Sequence, residues 1–91
     1  MATVAVRHRV ENYEAWRTAY DEHGSVRKSH GCTGDVVLRD EGDPNEVMVI
    51  TQWPSLANAH AFASDPSLPE AMQKGGVAGP PRIEFYEEAA L

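Results

Sequence analysis

One segment, Glu46 to Trp53, restricts the possible folds of this sequence because it is apolar on both sides of an extended chain. Successive side chains of a strand point to opposite faces of a sheet, so the segment divides into two sets. One set contains Val47, Val49, Thr51 and Trp53, and the other contains Met48, Ile50 and Gln52. Apolar residues in both sets predict a strand that is covered on both faces. Helices of the same chain can cover one face, and a second subunit is the simplest cover for the other.

The remaining sequence predicts three more strands and two interrupted helices. Period-two alternation predicts strands over residues 3–10, 35–40 and 82–87. The predicted helix caps and breaks are Asn12, Gly24, Ser55, Asp65-Pro66 and Gly75-Gly76. The order strand, helix, strand, strand, helix, strand is the ferredoxin-like βαββαβ arrangement, an α+β fold with a four-stranded antiparallel sheet and helices on one face. At 91 residues the chain fits a single domain, residues 1–91.

The charge balance limits the partners that the chain can bind. Eight basic and fourteen acidic residues give a formal net charge of -6, and the basic residues are scattered along the chain, which argues against nucleic acid. No apolar run approaches the roughly 20 residues that span a bilayer, and Arg7, His8 and Arg9 stand where a signal peptide would be apolar. We therefore expect a cytoplasmic protein with no membrane partner. Its one cysteine, Cys32, is expected to be a buried or partly buried thiol.

Five short segments carry a more specific signal than the order of the elements. Three of them lie where predicted elements begin or end: His30-Gly31-Cys32, Gln52-Trp53-Pro54-Ser55 and Gly79-Pro80-Pro81-Arg82. The other two are turns: Asp43-Pro44-Asn45-Glu46 and Ser64-Asp65-Pro66. Together they resemble the antibiotic biosynthesis monooxygenase-like family of dimeric α/β barrels, and the resemblance covers nearly the whole chain.

The resemblance implies two sheets packed face to face in a homodimer, with a ligand pocket between each sheet and its own helices. Family members include cofactor-independent oxygenases of aromatic polyketides, and related barrels act as polyketide cyclases, isomerases and haem-degrading enzymes. The polyketide oxygenases carry a Trp at the end of strand three, which Trp53 matches. The other polar residues of that pattern correspond here to Val49, Ala59 and Met72.

The alternation of the third strand predicts the floor of the pocket. If Trp53 faces the pocket, Val49 and Thr51 face it as well. Trp16 and Tyr20 lie at helical spacing on one side of the first helix. The predicted substrate-binding residues are Trp16, Tyr20, Val49, Thr51 and Trp53. The aromatic residues among them have an alternative role as core residues, because large aromatics supply much of the buried area of a small domain.

Two histidines are the candidates for proton transfer. We expect the first and third strands to run parallel, which would bring His8 to the same edge of the sheet as Thr51 and Trp53. His60, one helical turn beyond Leu56, can project toward that edge. An imidazole suits proton transfer near neutral pH, so His8 and His60 are predicted as the catalytic residues. The alternative is that His8 bonds to backbone or water and that His60 is a partly exposed helix residue.

The sequence predicts neither a metal nor a cofactor. No two histidines or acidic residues show a tight ligand spacing such as HExxH, and no glycine-rich nucleotide-binding pattern occurs. His23 and His30 are interpreted as residues that mark helix ends.

The predicted function is that of a cofactor-free cyclase, isomerase or oxygenase acting on an aromatic or polyketide-like intermediate. The alternative is a binding protein that holds a hydrophobic metabolite in the same pocket without converting it. Haem degradation is a third candidate that rests on the shared fold alone, and it lacks an axial histidine with the family's Asn and Trp partners. In each case a homodimer is expected, because Met48 and Ile50 lie on the side of strand three that the helices cannot reach.

Overall fold

The computed structural model describes residues 1–90 and contains a layer of helices packed on one sheet. The elements in chain order are β1 (Ala2–Val10), α1 (Tyr13–Glu22), α2 (Gly24–Ser29), β2 (Gly34–Arg39), β3 (Glu46–Trp53), α3 (Leu56–Ala63), α4 (Ser67–Lys74) and β4 (Val77–Glu87). The strands form one sheet in the order β2-β3-β1-β4, and each neighbouring pair is antiparallel. The chain therefore has an α+β ferredoxin-like fold, as the sequence predicts.

Both predicted helix caps are confirmed. The side chain of Asn12 accepts a hydrogen bond from the backbone N–H of Ala15 at 3.0 Å. Ser55 accepts one from the backbone N–H of Asn58 at 3.2 Å. Each bond satisfies one of the free N–H groups that a helix leaves at its first turn, so both helices begin where the sequence signals them.

The predicted helix breaks also lie at the expected residues. His23 closes α1, and α2 begins at Gly24. Gly31 and Gly76 adopt φ angles of 94° and 72°, in the left-handed region that favours glycine, and each redirects the chain from a helix into a strand.

Strand β4 is longer than the sequence predicts. It begins at Val77 rather than at residue 82 and includes Pro80 and Pro81. Residues 77–81 were not included in the predicted strand, because proline cannot donate a hydrogen bond to a neighbouring strand. The two prolines are tolerated here because β4 is an edge strand, one side of which has no strand partner.

The expected direction of β1 relative to β3 was wrong. The two strands are antiparallel, with Ala2 opposite Trp53 and His8 opposite Val47. The helical connection returns the chain so that β2 runs in the same direction as β1, and the hairpin then reverses the chain into β3. His8 and Trp53 therefore lie at opposite ends of β3 rather than at one edge of the sheet.

The core lies between the sheet and the helices in two clusters. The first contains Ala2, Val4, Trp53 and Ala59, and the second contains Val10, Trp16, Val47 and Val49. Trp53 and Val47 are wholly buried, so the alternating set of β3 that contains them faces the helices, as the sequence predicts. Burial of each large side chain stabilises the fold by about 1.5–3 kcal/mol.

The opposite face of the sheet carries no helix. Val36 and Leu38 are 51% and 49% exposed there. They lie opposite Ile50 and Met48 in the β2–β3 pairing, so the four side chains form one apolar patch. We call this surface the open sheet face. Such patches on a sheet favour association, because a monomer leaves them in water.

Candidate functional site

A small cavity of about 70 Å³ separates the sheet from the helices. On the sheet side, the residues that line it are Val4, Val6, His8, Val49 and Thr51. On the helix side, Trp16, Ala19, Tyr20, His23 and Arg27 line it from α1, α2 and the turn between them. Phe62 of α3 and three residues of α4 complete the wall. The lining is mainly apolar, which suits an aromatic or hydrophobic molecule.

Most of the residues predicted from the sequence line this cavity. They are His8, Trp16, Tyr20, Val49 and Thr51. Trp53 does not line it. Its indole stacks on Phe62 with the ring centroids 4.9 Å apart, and its Nε1–H donates a 2.8 Å hydrogen bond to Oγ1 of Thr51. Trp53 therefore supports the pocket floor from below.

The structure places His60 outside the cavity. Its ring is exposed and stacks on Phe85 at a centroid distance of 4.1 Å. Ala59, wholly buried, is the α3 residue that faces the sheet, and the next residue points about 100° away from it on a helix. Phe85 pairs with Val4, about 13 Å along β1 from His8. The expected convergence of His60 with His8 was therefore wrong.

His8 lies on the sheet wall of the cavity and is buried. Its Nδ1 is 3.5 Å from the carbonyl oxygen of Val47, at the long limit of a hydrogen bond. The ring packs edge-on against Trp16, with the two ring centroids 5.4 Å apart. Burial is the main cause that lowers the pKa of His8 below its usual value. The imidazole is therefore neutral at pH 7. With Nδ1–H directed at the carbonyl, Nε2 carries the lone pair.

His23 is a second buried imidazole on the cavity wall, at the turn between α1 and α2. Its Nε2 lies 2.8 Å from Oγ of Ser67, and that hydroxyl donates to Oδ1 of Asp65 at 2.7 Å. Because the hydroxyl has one proton and directs it to the carboxylate, it accepts from Nε2–H of His23. This fixes the tautomer and leaves the lone pair on Nδ1. Burial, aided by the charge of Arg27, lowers the pKa of His23.

The carboxylate of Asp65 completes this polar chain. His30 Nε2 is 2.8 Å from Oδ2 of Asp65, and the backbone N–H of Ser67 donates to Oδ1 at 2.9 Å. The hydrogen bond from His30 is the first of the contacts that hold the pKa of Asp65 well below its usual range. The ionised carboxylate therefore holds Ser67 in the orientation that His23 requires.

Arg27 lies one helical turn beyond His23 and is also buried. Its Nη2 donates a 2.9 Å hydrogen bond to the carbonyl of Tyr20, and its guanidinium carbon lies 3.7 Å from the centroid of the Tyr20 ring. The hydroxyl of Tyr20 donates to Asp35 at 2.6 Å. Burial raises the pKa of Tyr20 above its usual value, so the phenol remains protonated.

His23 and Arg27 were not among the predicted site residues, although the sequence contains a signal for both. Trp16, Tyr20, His23 and Arg27 follow one another at spacings of four, three and four residues, which is one face of a helix. The interruption at Gly24 concealed this continuity, because α2 was treated as a separate turn. The structure shows that the face continues across the break and lines the cavity.

The α4 wall is the least tightly packed side of the cavity. Leu68, Ala71 and Met72 contribute to it, yet no residue of α4 is fully buried. The cavity is about half the volume of a cavity of about 150 Å³ that holds benzene in another protein. A ring-containing ligand therefore requires lining side chains to move, and the flexible side chain of Met72 can adapt to the ligand.

Within residues 1–90 there is neither a cluster of metal ligands nor a helix suited to cross a membrane. No group of three or more His, Cys, Asp or Glu side chains in this range is arranged to hold a metal ion. None of the helices within the described range is long and apolar enough to cross a membrane.

The fold and the cavity define a ferredoxin-like α+β protein with a small apolar pocket between its sheet and its helices. The family model for antibiotic biosynthesis monooxygenase matches residues 1–74, and the chain belongs to this family. A comparison with curated proteins gives no match.

Solved structures of the same family have the same fold. An antibiotic biosynthesis monooxygenase structure from Bordetella bronchiseptica is similar with a TM-score of 0.81 at 14% identity, over 98% of this chain and 97% of that one. SnoaB, a cofactor-independent oxygenase from Streptomyces nogalater, has a TM-score of 0.80 at 11% identity, over 99% and 94%. A structure from Chloroflexus aurantiacus has a TM-score of 0.68 at 21% identity, over 98% and 95%. At these identities the similarity establishes the fold.

Proposed function

We propose that this protein is a cofactor-independent enzyme, a cyclase, isomerase or oxygenase, that acts on an aromatic or polyketide-like molecule. The observation that carries the proposal is that two buried, neutral imidazoles, His8 and His23, line one apolar cavity from different walls. A buried polar group costs stability unless it is hydrogen-bonded, and within residues 1–90 each imidazole has a hydrogen bond at only one of its two ring nitrogens. Two groups of this kind in one pocket favour proton chemistry over simple packing.

Proton removal is the step that the three reaction classes share. A neutral imidazole accepts a proton from carbon beside a carbonyl group, and the electron pair remains on the substrate as an enolate. A cyclase or isomerase then returns the proton at another atom. In an oxygenase, the enolate reacts with O₂: one oxygen atom enters the product, the other leaves as water, and the substrate supplies the electrons. His8 and His23 are the proposed proton acceptors, and neither requires a cofactor for this step.

The rest of the cavity supports this assignment through binding. Trp16 stacks on Tyr20 with the ring centroids 5.0 Å apart, so the two rings hold each other in place in this wall. A planar ring can lie against Trp16 while the C–H group beside its carbonyl group faces an imidazole. We propose Trp16, Tyr20, Val49 and Thr51 as substrate-binding residues, with Trp53 as the support of Thr51.

We also propose that the protein is a cytoplasmic homodimer that forms through the open sheet face. Val36, Leu38, Met48 and Ile50 make its apolar centre. Two ion pairs, Arg7 with Glu46 and Arg82 with Glu84, lie on the same face beside this apolar centre. This arrangement resembles the apolar core and polar rim of a protein interface. A second copy related by a two-fold axis fits such a face, because it presents the same apolar patch.

Hydrogen exchange of 2-tetralone in D₂O tests the proposed chemistry without knowledge of the natural substrate. This two-ring ketone has an acidic C–H group between its aromatic ring and its carbonyl group, and NMR follows the loss of that proton. We expect the wild type to accelerate the exchange by about a hundred-fold or more over buffer, the range of general-base catalysis. His8→Gln and His23→Gln should each reduce the acceleration. His60→Gln is the matched control outside the cavity and should leave it unchanged.

The outcomes separate the candidate functions. Exchange accompanied by oxygen uptake identifies an oxygenase, whereas exchange without uptake identifies the proton chemistry of a cyclase or isomerase. Quenching of Trp16 fluorescence by 2-tetralone without any exchange would leave the alternative of a binding protein. Equal exchange rates in the wild type and in the double variant His8→Gln/His23→Gln would overturn the proposal.

A further inference from the structure

Arg27 is a buried cation without an acidic partner. Its side chain belongs to a residue that is 8% exposed. The ion pairs among residues 1–90 are formed by other side chains, namely Arg7, Arg9, Arg17, His30, Lys74 and Arg82. Removal of a charge from water costs several kcal/mol unless another charge or several hydrogen bonds compensate it. The Tyr20 carbonyl and ring account for one of the five N–H donors and one face of the guanidinium.

Arg27 borders the cavity and also a second, outer cleft. Within residues 1–90 no buried side-chain nitrogen lacks a hydrogen-bond partner, so the remaining N–H groups of Arg27 reach this open space. Arg27 lines the cavity on the same helical face as Trp16 and His23. Its charge contributes to the lowered pKa of His23, so the two groups are electrostatically close. The outer cleft has a volume of about 470 Å³, and Asp21 and Asp35 line it together with Arg27. In that cleft Asp21 and Asp35 offset the charges of Arg27 and Lys28. The cavity lining contributed by the described residues contains no carboxylate, so the charge of Arg27 is not offset there.

We propose that Arg27 is the anion-binding residue of the cavity, and that the ligand is a planar aromatic molecule with an anionic oxygen, either a carboxylate or an ionised enol or phenol. This inference rests on the proposed function for the use of the cavity. It adds the charge of the ligand and the residue that recognises it. The net charge of -6 repels anions from the protein as a whole, so any preference for an anion must come from a local cation.

The proposal links Arg27 to the neighbouring imidazole. When a ligand C–H or O–H loses its proton to Nδ1 of His23, the electron pair of the broken bond moves onto the ligand oxygen. Arg27 then binds that oxygen through its free N–H groups, and no oxidant or reductant takes part. A ligand that enters as a carboxylate needs no such transfer and binds directly to the guanidinium.

Benzoate and benzamide are matched probes for this site, because they have similar shapes and differ in charge. Quenching of Trp16 fluorescence reports occupation of the cavity, and Trp53→Phe removes the other indole from the signal. In this background we expect benzoate to bind about ten-fold more tightly than benzamide. Arg27→Met should abolish or reverse the preference, and Arg27→Lys should retain part of it. A matched control is Arg39→Met, because Arg39 covers the Tyr13 ring at 3.8 Å on the exposed surface.

4-Nitrophenol separates the phenolate from the carboxylate form of the proposal, because its ionisation is visible by absorbance. An apolar cavity alone would raise the pKa of bound nitrophenol above its value in water, whereas a cavity with a free cation lowers it. We expect a lowered pKa in the wild type and a raised pKa in Arg27→Met. A lowered pKa that persists in Arg27→Met would contradict the assignment of the cation.

The failure of this inference is distinguishable from the failure of the proposed function. Equal affinity for benzoate and benzamide, both with Trp16 quenching, would overturn the anion site and leave the cavity as a binding site. Benzoate binding that leaves Trp16 fluorescence unchanged would assign the anion to the outer cleft and also overturn the inference. Circular dichroism and thermal unfolding establish that Trp53→Phe and Trp53→Phe/Arg27→Met are folded, and the comparison of the two probes in Trp53→Phe needs no change at Arg27.

Discussion

Nε2 of His23 lies 2.8 Å from Oγ of Ser67, and this contact connects the α1–α2 turn to the first residue of α4. The hydroxyl donates to Asp65, so it accepts from the imidazole and fixes one tautomer of His23. The contact therefore has two roles. It holds α4 against the turn at the residue where α4 begins, and it keeps the lone pair of the proposed proton acceptor on Nδ1.

Ser67→Ala tests both roles. Loss of the hydroxyl removes its hydrogen bond with His23 and its charge-assisted hydrogen bond to Asp65, so the free energy of unfolding should fall by about 1–3 kcal/mol. It should also let His23 populate both tautomers, which ¹⁵N chemical shifts of the imidazole measure directly. Ser25→Ala on the exposed side of α2 is the control and should alter neither quantity. An unchanged tautomer in Ser67→Ala would show that another group orients the ring.

The buried histidines predict a loss of stability on mild acidification. The pKa values of His8 and His23 are lowered in the folded protein from 6.5, so the unfolded chain binds protons first as the pH falls. With respect to these two groups, the free energy of unfolding is therefore highest above about pH 7. It declines as the pH falls through 6.5 toward the pKa values of the histidines in the folded protein. We expect the melting temperature to fall between about pH 7.5 and pH 5, and the fall to be smaller in His8→Gln.

His60→Gln supplies the comparison for that experiment. His60 is exposed outside the cavity, so its replacement should leave the acid-induced fall in melting temperature as large as in the wild type. If His8→Gln retained the full fall as well, the neutral state assigned to His8 would be wrong. The measurement needs no substrate, and thermal unfolding followed by circular dichroism is sufficient.

The floor of the cavity depends on the hydrogen bond between Trp53 and Thr51. Thr51→Val keeps the side-chain shape but leaves the buried indole N–H of Trp53 without its acceptor. We expect a loss of about 1–3 kcal/mol in the free energy of unfolding, because an unsatisfied buried donor bears its full desolvation cost. Urea denaturation measures the change. Thr51→Ser retains the hydroxyl and should cost less, whereas an equal cost would assign the effect to packing of the lost methyl group.

Alternation along the sequence predicted which face each residue of β3 occupies, and this was correct for Val47 through Trp53. Alternation contains no information about strand direction, so the antiparallel relation of β1 and β3 required the count of chain reversals through the hairpin. His60 was misplaced partly for this reason. His23 was underestimated because its partner Ser67 is 44 residues away, and no local pattern indicates a contact of that separation.

The open sheet face leads to the last prediction, which concerns the oligomeric state. Ile50 lies at the centre of the apolar patch, paired with Val36 on one side and with Ala5 on the other. Burial against a second copy stabilises a dimer by about 25 cal/mol per Å² of apolar surface removed from water. Ile50→Glu places a carboxylate in that contact, where it must lose its hydration or separate the subunits. We expect light scattering to find a wild-type dimer and an Ile50→Glu monomer of lower melting temperature. Ser25→Glu adds the same charge on the exposed side of α2 and should remain dimeric, whereas a monomeric wild type at micromolar concentration would refute the second cover proposed for β3.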